Sequence, residues 1–208
     1  MGFNPVSDRS NFTTTADEAY YKQQGEERHA SENDGFCEVL EEEMGKLERC
    51  DVLVTISPLW WFSVPAILKG WFDRVLAAGR MYGGGRWYDN GVLKGKKAIA
   101  SITTGGPSTM YSEAGLNGHM DAILFPLHHG VFWFCGAQPV QPHVTYSAAH
   151  IGDEARSASL DQWEEALLNI NDRPIIQYHG LADYDDSFIL KSDASSSDNT
   201  TEPSTATE

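Results

Sequence analysis

Basic residues are scarce in this chain. Fifteen lysines and arginines stand against thirty aspartates and glutamates over 208 residues, a formal net charge of −15. Such a balance repels nucleic-acid phosphates and anionic lipid surfaces, so neither nucleic acid nor membrane is an expected partner. No run of 18 apolar residues occurs, which leaves no candidate for a membrane-crossing helix. The start lacks a basic segment leading into an apolar one, so no secretory leader is read and a cytoplasmic location is expected. The three cysteines, Cys37, Cys50 and Cys135, are scattered without metal-ligand spacing and read as unpaired buried thiols in a reducing compartment. His128 and His129 are adjacent, a poor spacing for ligands on a helix, and read as satisfied or surface histidines. No zinc, calcium or nucleophile–base constellation stands out, and no metal is expected.

An apolar content of 41% is enough to bury a sizeable core. Residues 1–35 are polar and turn-rich, anchored by Tyr20-Tyr21. Helical spacing follows over Phe36–Arg49, with Phe36, Val39, Leu40, Met44 and Leu47 on one stripe. A buried-strand run at Asp51–Ile56 leads to a helix over Pro65–Leu76, whose stripe is Ile67, Leu68, Trp71, Phe72 and Val75. The basic turn Gly91–Lys97 enters a second buried strand, Ala98–Ile102. A long helix is expected over Gly115–Phe134, interrupted or kinked at Pro126. A third strand spans Pro139–Tyr146, and a last helix over Ile151–Ile170 sets Leu160, Trp163, Ala166, Leu167 and Ile170 on one face. Such alternation predicts a doubly wound parallel sheet. The run 192–208, with four acids, no base and no aromatic residue, is expected to be disordered.

Chemistry gathers where two strands end. Ala98–Ile102 runs into Thr103-Thr104-Gly105-Gly106-Pro107, and the carboxyl end of a central strand is where open α/β sheets place ligands. Paired glycines let backbone N–H groups approach a flat or anionic ligand, with two threonine hydroxyls beside it. Asp51–Ile56 ends in Ser57-Pro58-Leu59-Trp60-Trp61-Phe62. Three consecutive aromatics in a loop are hard to bury on all sides, so a platform for a planar cofactor is expected there.

The motif PLWWFSVPAILKGWFDRV, then SITTGGPSTMYSEAGLNGHM, then HVTYSAAHIGDEAR resembles the NAD(P)H:quinone oxidoreductase (DT-diaphorase) family of flavodoxin-like flavoproteins. The resemblance covers Met1 to about Asp186, which gives a flavodoxin-like domain over 1–186 and an acidic, Ser/Thr-rich tail over 187–208. In the family a strand, a phosphate-cradling loop, a helix and a second strand come first, and these would lie before Met1. The resemblance therefore implies an N-terminally truncated sheet of about three parallel strands with helices on both faces. Its Asp51–Ile56 strand would be an unpaired, apolar edge that impairs stability unless a partner covers it.

The resemblance also implies a chemistry. Pro58, Leu59, Trp60, Trp61 and Phe62 match the loop lining the flavin ring, and Thr103, Thr104, Gly105 and Gly106 match the turn at its polar edge. His150 and Arg156 match positions contacting the distal part of the dinucleotide. Tyr82 and Phe134 match aromatic positions of the substrate pocket that the other subunit supplies, which implies a homodimer; a further tyrosine expected two residues after Tyr82 is Gly84. Tyr111 matches a tyrosine that stabilises charge on the reduced flavin, and Asn117 stands where its histidine partner is expected. His119 could replace that histidine only if its segment is not helical. The implied reaction is ping-pong transfer from NAD(P)H through FAD, FMN being the less favoured flavin, to a quinone. The alternative left open is a cofactor-poor remnant acting as an interaction module, or an incomplete gene product.

Overall fold

The computed structural model describes residues 3–194. Four strands, β1 (Val52–Pro58), β2 (Lys97–Thr103), β3 (Gln138–Pro139) and β4 (His143–Thr145), alternate with helices α1 (Gln23–Glu32), α2 (Glu38–Arg49), α3 (Ala66–Val75), α4 (Met120–Leu127) and α5 (Asp153–Leu168). All pairings are parallel, and β2 is central, with β1 on one side and β3 and β4 in succession on the other. The flavodoxin-like sheet with three strand positions is therefore present.

The third position is broken where one unbroken strand was expected. Ala98 pairs with Pro139 but Ser101 pairs with His143, so the register gains one residue between β3 and β4. Pro142 has no N–H to give the ladder, and an extra residue in one strand is a bulge. Arg173 satisfies the freed carbonyls, its guanidinium donating to Gln141 O at 2.5 Å and Pro142 O at 2.8 Å. The bulge turns His143 toward α5, where its ring lies 5.6 Å from that of Trp163 and its Nε2 3.1 Å from Ser159 Oγ.

Side chains alternate across β2. Ala98, Ala100 and Ile102 enter a large core with Leu40, Met44 and Leu47 of α2, Phe72 and Val75 of α3, and Leu124 and Leu127 of α4. Val39, expected on the α2 stripe, is exposed because it lies off the line that Phe36, Leu40, Met44 and Leu47 make. On the opposite face Ile99 packs with Val140 and Ala166, joined by Val52, Trp163 and Ile170. There α5 packs over β4 and the start of β1 but leaves the rest of β1 uncovered. Val54 is 40% exposed and Ile56 66%, and Leu160 and Leu167 of α5, expected to be packed, are also exposed. Lys97 N–H donates to Asp51 O and Leu59 N–H to Thr103 O, so the odd-numbered backbone groups of β1 serve the ladder and the even-numbered ones face outward. β1 is the bare apolar edge that the resemblance implied.

Two further elements differ from the sequence reading. Helix α1 falls in the stretch expected to be only turns. Its inward face carries Glu26 and Glu27 beside Ala30, a pattern no apolar periodicity reveals. Glu26 accepts from Ala16 N–H at 2.7 Å and from Arg9 at 3.3 Å, and Glu27 accepts from Ala78 N–H at 2.8 Å, with burial raising the Glu27 pKa. The long helix expected from Gly115 begins at Met120. After Pro126 it passes into a π-helix over His128–Trp133, in which Phe134 N–H reaches His129 O. This wider turn carries His128 inward. Its side chain is 2% exposed and its Nε2 has no hydrogen-bond partner, which corrects the expectation of a satisfied or surface residue. Cys135 is buried, with its thiol pKa pushed up to about 12, whereas Cys37 and Cys50 are only half-buried. The chain returns as a short antiparallel bridge between Tyr184 and Leu190, and the acidic tail from 195 onward lies outside the described residues. Among the described residues no helix is long and apolar enough to cross a membrane.

Two outcomes follow from this packing. Ile56→Lys places a charge on the open edge and should lower concentration-dependent self-association, read by light scattering, without lowering the melting temperature. Burial lowers the His128 pKa from 6.5 to about 4. A depressed histidine is neutral in the fold but protonated once unfolded, so its contribution is complete above pH 6.5 and is lost as pH falls toward 4. Denaturant titrations should show His128→Leu losing about 3 kcal/mol less than the wild type across that interval.

Candidate ligand site at the strand ends

Backbone bonds knit the carboxyl ends of β1, β2 and β4 into one surface. Leu59 N–H donates to Thr103 O at 2.8 Å, Thr104 N–H to Thr145 O at 3.0 Å, Ala148 N–H to Thr104 O at 3.0 Å and Ser147 N–H to Gly106 O at 3.0 Å. The Thr104 hydroxyl donates to Gly106 O at 2.8 Å. Its proton is therefore used to shape the turn, which leaves its oxygen only as an acceptor. Gly105 faces open space, with nothing near the position a Cβ would take, so a flat group can come up to its backbone.

The aromatic stretch forms a turn of two residues. Trp60 N–H donates to Ser63 O at 2.9 Å and Ser63 N–H to Trp60 O at 3.0 Å, closing a reciprocal pair around Trp61 and Phe62. Both central residues have positive φ, +52° and +57°. That is a type I′ geometry, which favours Asn and Gly, and for bulky side chains the left-handed region costs about 1–2 kcal/mol each. The strain does not serve burial: Trp61 is 97% exposed and Trp60 and Phe62 are also outside the core. Strain of this kind clusters at binding sites, which makes the turn the candidate ligand surface.

Tyr111 ends a short 3-10 turn, Ser108–Tyr111, that sits against the second glycine. A Cβ on Gly106 would lie 3.6 Å from the Tyr111 hydroxyl. Its ring packs 5.7 Å from that of Tyr146, whose phenol burial holds protonated. The following loop folds back: Asn117 N–H donates to Met110 O at 2.8 Å, and Gly115 admits no side chain because a Cβ would lie 2.5 Å from Thr109 O. The segment is not helical, since Gly118 has φ +76°, so the condition set for His119 is met. That histidine nevertheless caps α4, its Nδ1 accepting from Asp121 N–H at 3.3 Å while lying 3.4 Å from the Asp121 carboxylate.

Tyr82 and Phe134 meet edge to face at 5.7 Å, and Gln24 donates to the Tyr82 hydroxyl at 3.2 Å. They line a cavity of about 360 Å³ whose walls include neither the aromatic turn nor Tyr111. His150 and Arg156 flank the end of the Ser147 turn, both exposed. Arg156 is held by Asp153 at 2.5 Å and by Ile151 O. The structure thus brings Pro58–Phe62, Thr103–Gly106, Tyr111 and Asn117 to one end of the sheet and sets Tyr82 and Phe134 apart. Tyr146 was missed, because a lone tyrosine at the close of a strand carries no pattern.

The open glycine turn and the strained aromatic turn stand at the carboxyl ends of the parallel strands, where open α/β sheets place ligands. The family Flavodoxin_2, described as a flavodoxin-like fold, matches residues 1–169. The chain is 39% identical over 171 residues to rat NAD(P)H dehydrogenase [quinone] 1, covering 82% of this chain and 62% of that protein. A structure from Klebsiella pneumoniae, described provisionally as a quinone reductase, superposes with a TM-score of 0.85 at 30% identity, over 91% of this chain and 77% of the other. General stress protein 14 of Treponema denticola, solved in complex with FMN, has a TM-score of 0.53 at 26% identity over 64% and 72%. The chain belongs to the flavodoxin-like NAD(P)H:quinone oxidoreductase family. It spans about 62% of the length of the rat relative.

If the aromatic turn is strained for binding, relieving it should trade affinity for stability. The double substitution Trp61→Asn with Phe62→Gly should raise unfolding free energy by about 2 kcal/mol in denaturant titrations. Unchanged or lowered stability would show that the rings are held by packing instead.

Proposed function

We propose that this protein is an FAD-dependent NAD(P)H:quinone oxidoreductase that works as a homodimer. The observation that carries this reading is the strained aromatic turn beside the open Gly105 backbone. Together they make a platform and a hydrogen-bonding edge for one planar ring, and the residues present fit an isoalloxazine there. A flavin held there would supply two-electron redox chemistry between NAD(P)H and a quinone.

The chain's own residues do the rest. Trp60, Trp61 and Phe62 hold the ring and keep water from its face. The Tyr111 hydroxyl, set beside the Tyr146 ring and Gly106, would donate toward the ring edge where negative charge gathers. Asn117 beside it can hydrogen-bond but supplies no proton, so a role as acid is absent from that position. His150 and Arg156, exposed beside the Ser147 turn, would contact the distal part of a dinucleotide, as the family resemblance implies. Tyr82 and Phe134, separated from the ring platform within one chain, would close the substrate pocket of a partner copy.

A second reading, an interaction module without flavin, draws on the open edge of β1. Rapid-mixing kinetics separate the two. In flavin-loaded protein, NADH should bleach the flavin's visible band, and Tyr111→Phe should slow that step by about 100-fold, the cost of removing one donor aimed at developing charge. A rate unaffected by the substitution would remove Tyr111 from the mechanism, and a protein that takes up no flavin would leave the interaction module.

A further inference from the structure

Between the π-helix and the chain's return after α5 lies a cavity of about 240 Å³ lined by Tyr88, His129, His179, Leu181, Tyr184 and Phe188. None of the residues assigned to the flavin and quinone reading contributes to it. Two of its rings sit on strained backbone: Tyr88 has φ +50° and Phe188 φ +61°. The left-handed region is unfavourable for bulky side chains, and strain of this kind clusters at ligand clamps. Phe188 gains no burial by it, since the side chain is 73% exposed. It is held at the tip of a hairpin by Asp185, whose carboxylate accepts from the Ser187 and Ile189 N–H groups, each at 2.9 Å.

The lining defines what fits there. Its rings stand at angles to one another: Tyr184 meets His179 at 89° with centroids 6.3 Å apart, and Tyr88 meets His129 at 45° and 5.4 Å. Phe188 contacts no other ring among the described residues, so its faces are unstacked. An aromatic face is electron-rich and attracts cations. Charge points the same way. No lysine or arginine lines the cavity, and burial lowers the His129 pKa, which keeps that ring uncharged. Two carboxylates are bonded to the lining and its flank. Asp89 accepts from Leu181 N–H at 2.9 Å, and Asp183 accepts from Gly180 N–H at 3.1 Å while lying 3.2 Å from His179 Nδ1. An anion would meet these carboxylates and the chain's net charge of −15. An ammonium with N–H groups would lose hydrogen bonds to water that rings cannot replace, whereas a quaternary ammonium has none to lose. The small volume suits a compact head group.

We propose that this cavity is a binding site for a small quaternary ammonium group, held against the rings of Tyr88, Tyr184 and Phe188. The test is calorimetry with choline chloride on the full chain, together with proton spectra of the choline methyl groups. The expected result is saturable binding that moves the methyl signal upfield, because ring faces shield it. The uncharged analogue of choline, with a quaternary carbon in place of the nitrogen, should bind at least about tenfold more weakly. Phe188→Leu and Tyr184→Leu should each lower choline affinity by about fivefold. Both side chains lie outside the two core clusters, so the variants should fold. Leu181→Trp, which fills the cavity, should abolish binding. No saturable binding, equal affinity for the uncharged analogue, a methyl signal that does not move upfield, or binding unchanged in these variants would overturn the proposal.

Discussion

The arrangement depends on a small set of backbone hydrogen bonds that tie three strand ends together. Through Leu59 to Thr103, Thr104 to Thr145 and Ser147 to Gly106, the loops after β1, β2 and β4 are fixed to one another. The large core beneath them, built on Ala98, Ala100 and Ile102, anchors β2. A turn as unfavourable as Trp61-Phe62 can persist only on a rigid base of this kind, because its strain must be smaller than the cost of breaking the strand ends apart. Loop geometry at this end is thus a consequence of sheet packing.

The two faces of the sheet are unequal. One is sealed by α2, α3 and α4, the other only in part by α5, and the difference leaves β1 with outward backbone groups and bare Val54 and Ile56. At the opposite edge the bulge between β3 and β4 is sealed by Arg173, which lets His143 join the α5 interface. One edge is thus resolved within the chain, and the other presents an adhesive strip.

Much of this was legible in the residues. The three strand positions, α2 and α3 follow apolar runs and periodicities that burial requires, α5 forms with only part of its expected face packed, and the candidate site follows from where strands stop. The rest is hidden for physical reasons. Helix α1 buries carboxylates, so its inner face looks polar. The broken third strand depends on Pro142 together with Arg173, thirty-one residues away. The late start of α4 depends on a capping histidine that reads equally well as part of the helix. The strain at Trp61 and Phe62 is a backbone property that side-chain types do not announce, and the separation of Tyr82 and Phe134 from the ring platform emerges only in three dimensions.

The most direct measurement is titration of FAD into the purified chain, following tryptophan fluorescence and the flavin visible bands together. Saturable quenching is expected, with the quenching lost when Trp61 and Phe62 are replaced by Asn and Gly. Fluorescence that ignores FAD, or quenching that persists after the aromatic turn is removed, would contradict the assignment of that turn as the flavin platform.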